Sequence, residues 1–443
     1  MPAVGFGGEV YGGPDPRGWP VTTRTVLPGR RRGHVVAPPS KSYTHRALVA
    51  AFLSGREFDV RTPLDSEDTR ATVAALRRLG STVAITPRGW SVRPARRRES
   101  PRSVEIDCGE SGTTLRFVTV LAALGELPVR FSGRGRLAQR PMLPLLSALT
   151  GLGAEVRVSG RGGLFTIRGP IHGGRIRLDA SASSQFASAL LLALPTLSED
   201  SRITLEGTVV SAPYIDATLA VLRSVGIEVG RRGREIRIPG GQPITGRGMD
   251  VPGDASSAAY FWVAGAIAEG PVTVRGVPRD WPQADLAILA LLRRSGADVR
   301  ERGTAVSVRR GRPRPFTVDL TDAPDLYPLA GVLAATLPGT SRLCGAPQVV
   351  HKESDRRSET ASLARALGAQ VRVDPDGLEI DGTPKLRALD LRRLTDHRLV
   401  MSAAIGAAGA ATPSHIGRAE AVRKSFPGFW DSWAELGPEV AVV

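Results

Sequence analysis

The chain has 443 residues, 42% of them hydrophobic and 23% charged, which excludes a disordered protein and allows two or three domains. Its two cysteines exclude a disulfide framework and a thiolate metal cluster, and no apolar run approaches the roughly 18–20 residues of a membrane helix. The net charge of +16 indicates an anionic ligand, but arginine clusters are short and scattered and aromatic residues make up only 5%, which favours a small molecule over a nucleic acid.

Residues 1–22 precede the first predicted strand and are rich in glycine and proline. They lack the basic start and the apolar middle of a signal peptide, so we expect a flexible N-terminal extension. The low cysteine content favours a reducing compartment, and we expect a cytoplasmic protein without a membrane partner.

The first predicted helix contains the apolar run 47–53 and follows two prolines at 38 and 39. Ser40, Lys41, Ser42 and Arg46 lie between the prolines and this run. Cations are unfavourable at the positive end of a helix dipole unless an anion binds there, so the stretch indicates an anion site. Only four of the 59 basic residues are lysines, and a lysine retained in an arginine-rich chain indicates a compact charge or a mobile proton.

Six short polar motifs recur along the chain, each directly before an apolar run that predicts a buried helix. The motifs are 40–42, 110–113, 183–185, 256–257, 322–325 and 396–398. The apolar runs that follow them are 47–53, 115–124, 186–194, 258–268, 329–337 and 399–408. Small polar residues in this place predict N-caps, and convergent helix N-termini would bind several negative charges.

Six glycines mark the ends of a second set of predicted helices, at intervals of 69 to 73 residues. They are Gly80, Gly153, Gly226, Gly296, Gly368 and Gly437. Each is predicted to be a left-handed helix cap before a strand, and the near-constant interval indicates six structural repeats. The acidic stretch 65–68 predicts a capping box for the first of these helices.

The strong polar residues near these motifs are mostly cations, with two carboxylates, Asp325 and Glu353. The cations are Lys41, Arg46, Arg140, Lys352, Arg356, Arg398 and Lys424. Two carboxylates cannot neutralise them all, which indicates a ligand with several phosphate or carboxylate groups. The sequence has no glycine-rich nucleotide motif and no histidine spacing typical of a metal site; His397 is predicted to be a cap or an orienting residue.

These motifs occur in one order that resembles the enolpyruvyl transferases, and in particular the 5-enolpyruvylshikimate-3-phosphate (EPSP) synthase family. They are Pro39-Ser-Lys-Ser-x-x-x-Arg46, Glu110-Ser-Gly-Thr-Thr-Leu-Arg116, Arg140-Pro-Met, Ser183-Ser-Gln-Phe186, Lys352-Glu-Ser-Asp-Arg356, Asp396-His-Arg398 and Lys424-Ser-Phe-Pro427. The resemblance implies an α/β fold, a two-domain inside-out α/β barrel built from six βαβαββ repeats with buried helices. It places domain 1 at 23–39 and 252–443, domain 2 at 40–251, and the active site in the cleft between them.

The resemblance also implies the reaction, which joins phosphoenolpyruvate to the 5-hydroxyl of shikimate 3-phosphate and releases phosphate. Lys41, Asp325 and Glu353 would be catalytic, with Asp325 the base and Glu353 the acid. Shikimate 3-phosphate would be bound by Lys41, Ser42, Arg46, Ser183, Ser184, Gln185, Ser211, Tyr214, Asp325, Gln348 and Lys352. Phosphoenolpyruvate would be bound by Lys41, Gly112, Arg140, Gln185, Arg356, Arg398 and Lys424. The resemblance implies no metal, no cofactor, no nucleic acid and a monomer.

Three positions bear on how this chain compares with the family pattern. Glu110 stands where many members carry Asn, and a carboxylate beside the phosphoenolpyruvate pocket opposes anion binding unless it is paired; Arg116 is the expected partner. Gln348 also stands where Asn is common and is one methylene longer. Gly112 is the glycine of glyphosate-sensitive members, so we expect glyphosate to inhibit the enzyme.

Four alternatives stay open at this point. A sister transferase acting on UDP-N-acetylglucosamine usually carries a reactive cysteine five residues before the arginine that corresponds to Arg140, and this chain has Gly135 there. A paralogue could use another phosphorylated cyclic alcohol. An RNA-end or nucleic-acid-binding protein would explain the charge but not Asp325 and Glu353. A scaffold that retains the motifs without turnover would not need the complete set of acid, base and cations.

Overall fold

The computed structural model describes residues 22–95, 102–158, 163–437 and 441–442. The predicted N-terminal extension therefore lies outside the described residues, except for residue 22. Within these ranges, no helix combines the length and the apolar character that crossing a membrane requires.

Twelve α-helices lie in the described ranges. They are α1 (Lys41–Leu53), α2 (Glu67–Arg78), α3 (Gly112–Ala123), α4 (Leu143–Gly151), α5 (Gln185–Ala193), α6 (Pro213–Ser224), α7 (Ala255–Ile267), α8 (Ala287–Arg294), α9 (Tyr327–Ala335), α10 (Arg356–Ala366), α11 (His397–Ala407) and α12 (Phe429–Ala434). Odd-numbered helices are almost entirely buried, whereas α2, for example, buries one face only.

The described residues also form 24 strands. They are β1 (Thr23–Val26), β2 (Gly33–Val36), β3 (Phe58–Arg61), β4 (Ser81–Thr86), β5 (Gly89–Pro94), β6 (Val104–Asp107), β7 (Val129–Ser132), β8 (Glu155–Val158), β9 (Phe165–Arg168), β10 (Arg175–Asp179), β11 (Ser201–Glu206), β12 (Gly230–Arg232), β13 (Glu235–Ile238), β14 (Gly248–Asp250), β15 (Val272–Arg275), β16 (Asp298–Arg302), β17 (Ala305–Arg309), β18 (Thr317–Asp319), β19 (Gly339–Cys344), β20 (Gln370–Asp374), β21 (Gly377–Gly382), β22 (Asp390–Leu391), β23 (Ser414–Gly417) and β24 (Ala441–Val442).

The strands form six four-stranded sheets with one common order. In β6-β7-β9-β8, for example, β6 and β7 are parallel and flank α3 in sequence, and the hairpin β8–β9 adds antiparallel to β7. The others are β10-β11-β13-β12, β14-β3-β5-β4, β16-β17-β15-β2, β18-β19-β21-β20 and β22-β23-β1-β24. Six copies of one βαβαββ arrangement confirm the predicted fold class.

The chain divides into two compact units. Unit 1 comprises Met1–Pro38, Gly253–Arg279 and Ala284–Val443, and unit 2 comprises Pro39–Pro252 and Asp280–Gln283. Each unit has its own hydrophobic core, in which three buried helices contact one another: α7, α9 and α11 in unit 1, and α1, α3 and α5 in unit 2. The short segment 280–283 belongs to unit 2 because Trp281 packs edge-on against Tyr43, whose hydroxyl donates to the Pro282 carbonyl at 2.6 Å.

All six predicted buried helices are present, and each begins one to six residues earlier than its apolar run. In α1, α3, α5, α7 and α11 the first turn includes residues of the polar motifs, whereas the motif 322–325 lies before α9. Ser111 and Asp396 cap their helices with side-chain hydrogen bonds, as predicted, whereas the cap of α7 is Asp254 and the predicted Ser256 and Ser257 lie inside that helix. The predicted caps are wrong for α1 and α5, because Ser40 and Ser184 make no side-chain capping bond. The predicted cap is also wrong for α9, which follows a 3₁₀ turn that contains Asp325.

The six helix-end glycines confirm the repeat that the sequence indicates. All six have positive φ, between 52° and 108°, in the left-handed region that other residues disfavour. The capping box of α2 is also confirmed, with Ser66 and Thr69 as its two members. Asp68, from the same acidic stretch, does not cap the helix; it contacts Lys41 instead.

Candidate functional site

The polar motifs form one group of charged side chains in each unit. The unit 1 cluster consists of Asp285, Asp325, Lys352, Glu353, Arg356, Asp396 and Arg398. The unit 2 cluster consists of Lys41, Ser42, Arg46, Asp68, Gly112, Thr113, Arg116, Arg140, Gln185 and Tyr214. The first lies at the N-terminal ends of α7, α9, α10 and α11, and the second at those of α1, α2, α3, α5 and α6.

Arg356 is the centre of the unit 1 cluster. Its guanidinium donates to three carboxylates: Nε to Asp396 Oδ2 at 2.8 Å, Nη1 to Asp325 Oδ1 at 2.7 Å and Nη2 to Glu353 Oε2 at 2.8 Å. Burial opposes its positive charge, but these carboxylates outweigh burial and hold the pKa of Arg356 above its ordinary value. One buried cation therefore fixes the candidate base and the candidate acid relative to each other.

Asp325 is bound from both sides. Arg398 Nη2 donates to Asp325 Oδ2 at 2.6 Å, and Lys352 Nζ lies 3.8 Å from Oδ1. Burial of Asp325 would raise its pKa, but Arg398, Lys352 and Arg356 outweigh burial and hold the pKa well below its usual range. Asp325 is therefore a carboxylate at neutral pH, as a proton acceptor has to be.

The local sequence explains how these side chains are placed. Asp355 caps α10 by accepting from two backbone N–H groups, so the helix begins at Arg356 and points its guanidinium toward Asp325. Asp396 caps α11 in the same way, accepting from the N–H of Arg398 at 2.9 Å while it also binds Arg356. The predicted orienting residue His397 is buried, and its Nδ1 lies 3.4 Å from Asp396 Oδ1.

Two further predicted residues of unit 1 lie in 3₁₀ turns. Gln348 is in the turn Pro347–His351 and donates from Nε2 to the Thr321 carbonyl at 2.9 Å. Lys424 ends the turn Ala419–Lys424 and is buried. The predicted role of Gln348 and Lys424 in substrate binding stays a prediction.

In unit 2, Lys41 is the first residue of α1 and pairs with Asp68 of α2 at 2.8 Å. The Lys41 side chain is 19% exposed, and that of Asp68 is 7% exposed. The prediction that only Asp325 and Glu353 pair with the cations is therefore wrong. Asp68 balances Lys41 and Asp396 balances Arg356, so less positive charge remains for a ligand than the sequence indicates.

Arg46 is 2% exposed, and its guanidinium lies over the Phe117 ring. It donates to the Ser42 hydroxyl at 2.6 Å, the Tyr214 carbonyl at 2.9 Å and the Thr218 hydroxyl at 2.9 Å. Burial lowers the pKa of Arg46 to about 10, which still leaves it charged at neutral pH. In this structure Arg46 acts as the residue that holds Ser42 and Tyr214 together.

Gln185 joins the first turns of α3 and α5. Its Oε1 accepts from Arg116 Nη1 at 2.6 Å, and its Nε2 donates to Thr113 Oγ1 at 3.1 Å. The other terminal nitrogen of Arg116 donates to the Pro141 carbonyl at 3.1 Å, and its guanidinium lies over the Phe186 ring. The expected pairing of Arg116 with Glu110 therefore stays a prediction, and the bonds above give Arg116 a defined role in orienting Gln185.

The remaining predicted residues of unit 2 lie close to these. Ser183 accepts from the N–H of Gln185 at 3.2 Å, and Ser184 is buried beside it. Ser211 has a positive φ of 57°, a strained conformation at the entrance to α6. Glu110 lies against the backbone of Gly135, where an added Cβ would be 2.9 Å from Glu110 Oε1.

Gly112 begins α3 directly beneath the Arg140 guanidinium. A Cβ atom at Gly112 would lie 2.5 Å from Arg140 Nη1 and 2.6 Å from Cζ, closer than real Cβ contacts. We expect Gly112→Ala to displace the guanidinium and to raise KM for phosphoenolpyruvate by about tenfold, the effect of losing roughly one charged hydrogen bond. Steady-state kinetics with each substrate varied in turn will measure it. Gly151→Ala, at a helix end with no atom near the added Cβ, is the matched control; an unchanged KM in Gly112→Ala would contradict the role given to Arg140.

Three acidic members of the two clusters were missed as candidate site residues in the sequence: Asp68, Asp285 and Asp396. Asp68 and Asp396 occurred in recognised motifs, but both looked like helix caps. Asp285 had no local signal. Among the described residues no group of three or more histidine, cysteine, aspartate or glutamate side chains has a geometry that could hold a metal ion.

Curated relatives and a family profile match nearly the whole chain. A profile described as EPSP synthase (3-phosphoshikimate 1-carboxyvinyltransferase) matches residues 27–433. The 3-phosphoshikimate 1-carboxyvinyltransferase of Methanothrix thermoacetophila is 42% identical over 421 residues, covering 92% of this chain and 96% of the relative. That of Methanocorpusculum labreanum is 36% identical, covering 92% of this chain and 97% of the relative.

Solved structures share the fold. An EPSP synthase from Acinetobacter baumannii superposes with a TM-score of 0.79 at 25% identity, covering 95% of this chain and 99% of that one. The enolpyruvyl transferase NikO from Streptomyces tendae has a TM-score of 0.76 at 17% identity, covering 94% and 98%, which shows the common fold alone. With the profile and the relatives spanning both units and all seven motifs, the chain belongs to the EPSP synthase (3-phosphoshikimate 1-carboxyvinyltransferase) family.

Proposed function

We propose that this chain transfers the enolpyruvyl group of phosphoenolpyruvate to the 5-hydroxyl of shikimate 3-phosphate and releases phosphate. The observation that carries the proposal is the bridge of Arg356 to both Asp325 and Glu353, at 2.7 and 2.8 Å. Addition to an enol double bond needs one group that accepts a proton and another that donates one. Because Arg356 binds both carboxylates, Asp325 and Glu353 lie close together, and the proposal gives them different roles, Asp325 as the base and Glu353 as the acid.

The reaction proceeds by addition and elimination. Asp325 accepts the proton of the 5-hydroxyl as its oxygen bonds to C2 of phosphoenolpyruvate, and Glu353 gives a proton to the methylene carbon, which becomes a methyl group. The Glu353 carboxylate then takes a proton back from this methyl group, the double bond re-forms and phosphate departs with the electrons of the C–O bond. In the proposal, cations of the two clusters that lie at helix N-termini bind the phosphate and carboxylate groups of the substrates.

The predicted binding residues divide between the two substrates in the proposal. Ser42 and Tyr214, joined by Arg46, are assigned to shikimate 3-phosphate together with Ser183, Ser184, Ser211, Gln348 and Lys352. Arg140, Gly112, Arg356, Arg398 and Lys424 are assigned to phosphoenolpyruvate. Lys41 and Gln185 are assigned to both.

Phosphate release from the purified full chain will test the proposal. Release is expected only with phosphoenolpyruvate and shikimate 3-phosphate together, and mass spectrometry should show an acceptor that has gained an enolpyruvyl group. Release with UDP-N-acetylglucosamine in place of shikimate 3-phosphate would assign the chain to the sister reaction. Salt-dependent binding of an oligonucleotide without any release would favour the nucleic-acid alternative.

The same preparation will test two minor parts of the proposal. Glyphosate is expected to inhibit in competition with phosphoenolpyruvate, because Gly112, which has no Cβ, allows the Arg140 guanidinium to lie against the start of α3. The protein is expected to elute as a monomer in gel filtration. A cytoplasmic location is consistent with the two cysteines, neither of which is in a disulfide.

A further inference from the structure

A buried chain of three polar side chains links three helices of unit 2. His45 lies on α1, Thr72 on α2 and Thr114 on α3, and each is at most 1% exposed. His45 Nδ1 is 2.8 Å from Thr72 Oγ1, which in turn is 2.7 Å from Thr114 Oγ1. Buried polar groups have to bond one another, so this histidine–threonine chain fixes the three helices in one relative arrangement.

The histidine–threonine chain ends beside predicted phosphoenolpyruvate-binding residues. Thr114 Oγ1 donates to the Asp68 carbonyl at 3.2 Å and to the Ser111 hydroxyl at 2.8 Å. The carboxylate of the same Asp68 binds Lys41 at 2.8 Å. Ser111 is the N-cap of α3, and Gly112 is the first residue of that helix. The chain is therefore tied to Lys41 on one side and to the start of α3 on the other.

The direction of the hydrogen bonds follows from the two ends of the chain. His45 is fully buried, and its Nε2 has no hydrogen-bond partner among the described residues. A proton on Nε2 would leave a buried N–H without an acceptor, which proteins avoid more strictly than an unused acceptor. The proton is therefore on Nδ1, and His45 donates to Thr72, which donates to Thr114. Burial lowers the pKa of His45 to about 3, which keeps the ring neutral.

We propose that the residues of the histidine–threonine chain are positioning residues, which hold Lys41 and Gly112 in the relative arrangement that binds phosphoenolpyruvate. The inference rests on the proposed function, which assigns Lys41, Gly112 and Arg140 to that substrate. The Arg140 guanidinium lies against Gly112, so a shift of α3 relative to α1 would move two cations that have to reach one small anion. Shikimate 3-phosphate should respond less, because its predicted contact Ser42 is held by Arg46.

Thr72→Val removes the middle hydroxyl of the chain and keeps the shape of the side chain. We expect KM for phosphoenolpyruvate to rise about three- to tenfold, while kcat and KM for shikimate 3-phosphate stay within about twofold of wild type. Thr72→Ser keeps the hydroxyl and should keep the wild-type KM. Thr119→Val is the matched control, because Thr119 is also buried on α3 but donates to the Leu115 carbonyl of its own helix. An unchanged KM in Thr72→Val, or an equal rise in Thr119→Val, would overturn the proposal.

A double variant distinguishes one connected chain from separate structural effects. Thr114→Val interrupts the same chain as Thr72→Val, so the two changes together should raise KM for phosphoenolpyruvate no further than the larger single effect. A combined rise equal to the product of the two single effects would show that the hydroxyls act separately, and would overturn the proposal.

Nitrogen-15 NMR of the protein labelled at histidine gives a readout that needs no substrate. One ring, missing from His45→Asn, should be neutral with its proton on Nδ1 between about pH 6 and 8, where exposed histidines titrate. Its Nδ1 signal should shift in Thr72→Val and not in Thr119→Val. A proton on Nε2 would overturn the inference even in an active enzyme, whereas a proton on Nδ1 without phosphate release from the wild type would overturn the proposed function alone.

Discussion

Replacing Glu353 by Gln is expected to lower kcat for phosphate release by about 10²–10⁴-fold, the range that general acid–base groups contribute. Gln can still accept the hydrogen bond from Arg356 Nη2, so the geometry around Arg356 and Asp325 should persist. It cannot give a proton to the methylene carbon. KM for both substrates should therefore change little, and steady-state kinetics with each substrate varied will separate the two parameters.

Glu359→Gln is the matched control for this variant. Glu359 is exposed on α10, the helix that begins at Arg356, and its replacement changes the same chemical group outside the unit 1 cluster. Wild-type kinetics are expected in Glu359→Gln. If Glu353→Gln keeps more than about a tenth of the wild-type kcat, Glu353 is not the acid, because so small a loss is below the contribution of such a group.

Replacing Arg356 by Ala is expected to have the largest effect on stability, a loss of about 3–5 kcal/mol, because it leaves buried carboxylates without their cation. Arg356 is 1% exposed and Asp396 is fully buried, so water cannot replace the lost bonds. Chemical denaturation will measure the loss. Arg372→Ala, which removes an exposed arginine paired with Glu379, is the control and should cost at most about 1 kcal/mol.

The same variant should change the dependence of stability on pH. The pKa of Asp325 is held below its usual range in the folded protein, so its contribution to stability is fully present above its unfolded pKa of about 3.9 and is lost as the pH falls through the folded value. Without Arg356 this contribution shrinks, and acid unfolding should begin at a higher pH. Equal acid stability in wild type and variant would contradict the role of Arg356 in stabilising the Asp325 carboxylate.

The parts of this structure that the sequence predicts are those encoded locally. The buried helices can be predicted because nearly every residue of a run such as 258–268 is apolar. The glycine caps can be predicted because the positive φ of Gly296 or Gly368 depends on the glycine itself. The regular interval between these glycines then predicts the six repeats. Each of these features depends on neighbours within about one helical turn.

The parts that the sequence does not predict depend on residues far apart in the chain. Asp68 was attributed to a helix cap, and only the packing of α2 against α1 shows that it binds Lys41, 27 residues earlier. Asp396 lies 40 residues from Arg356 along the chain. Asp285 is in a turn without periodicity, and its hydrogen bond comes from Ser256, 29 residues earlier. Polar pairings of this kind have no pattern in the sequence because several carboxylates could pair with each cation equally well.

The sheet β22-β23-β1-β24 has a consequence for the synthesis of the chain. Its inner strand β1 pairs with β23, Thr23 opposite Gly417, and with β24, so neither partner exists when β1 leaves the ribosome. At about 5–20 residues per second, the nascent chain waits roughly 20–80 s before both edges of β1 can be satisfied. Meanwhile residues 39–283 already contain every segment of unit 2. All segments of unit 2 are therefore synthesised while β1, the first strand of unit 1, is still unpaired. The nascent chain needs protection at β1 during this time.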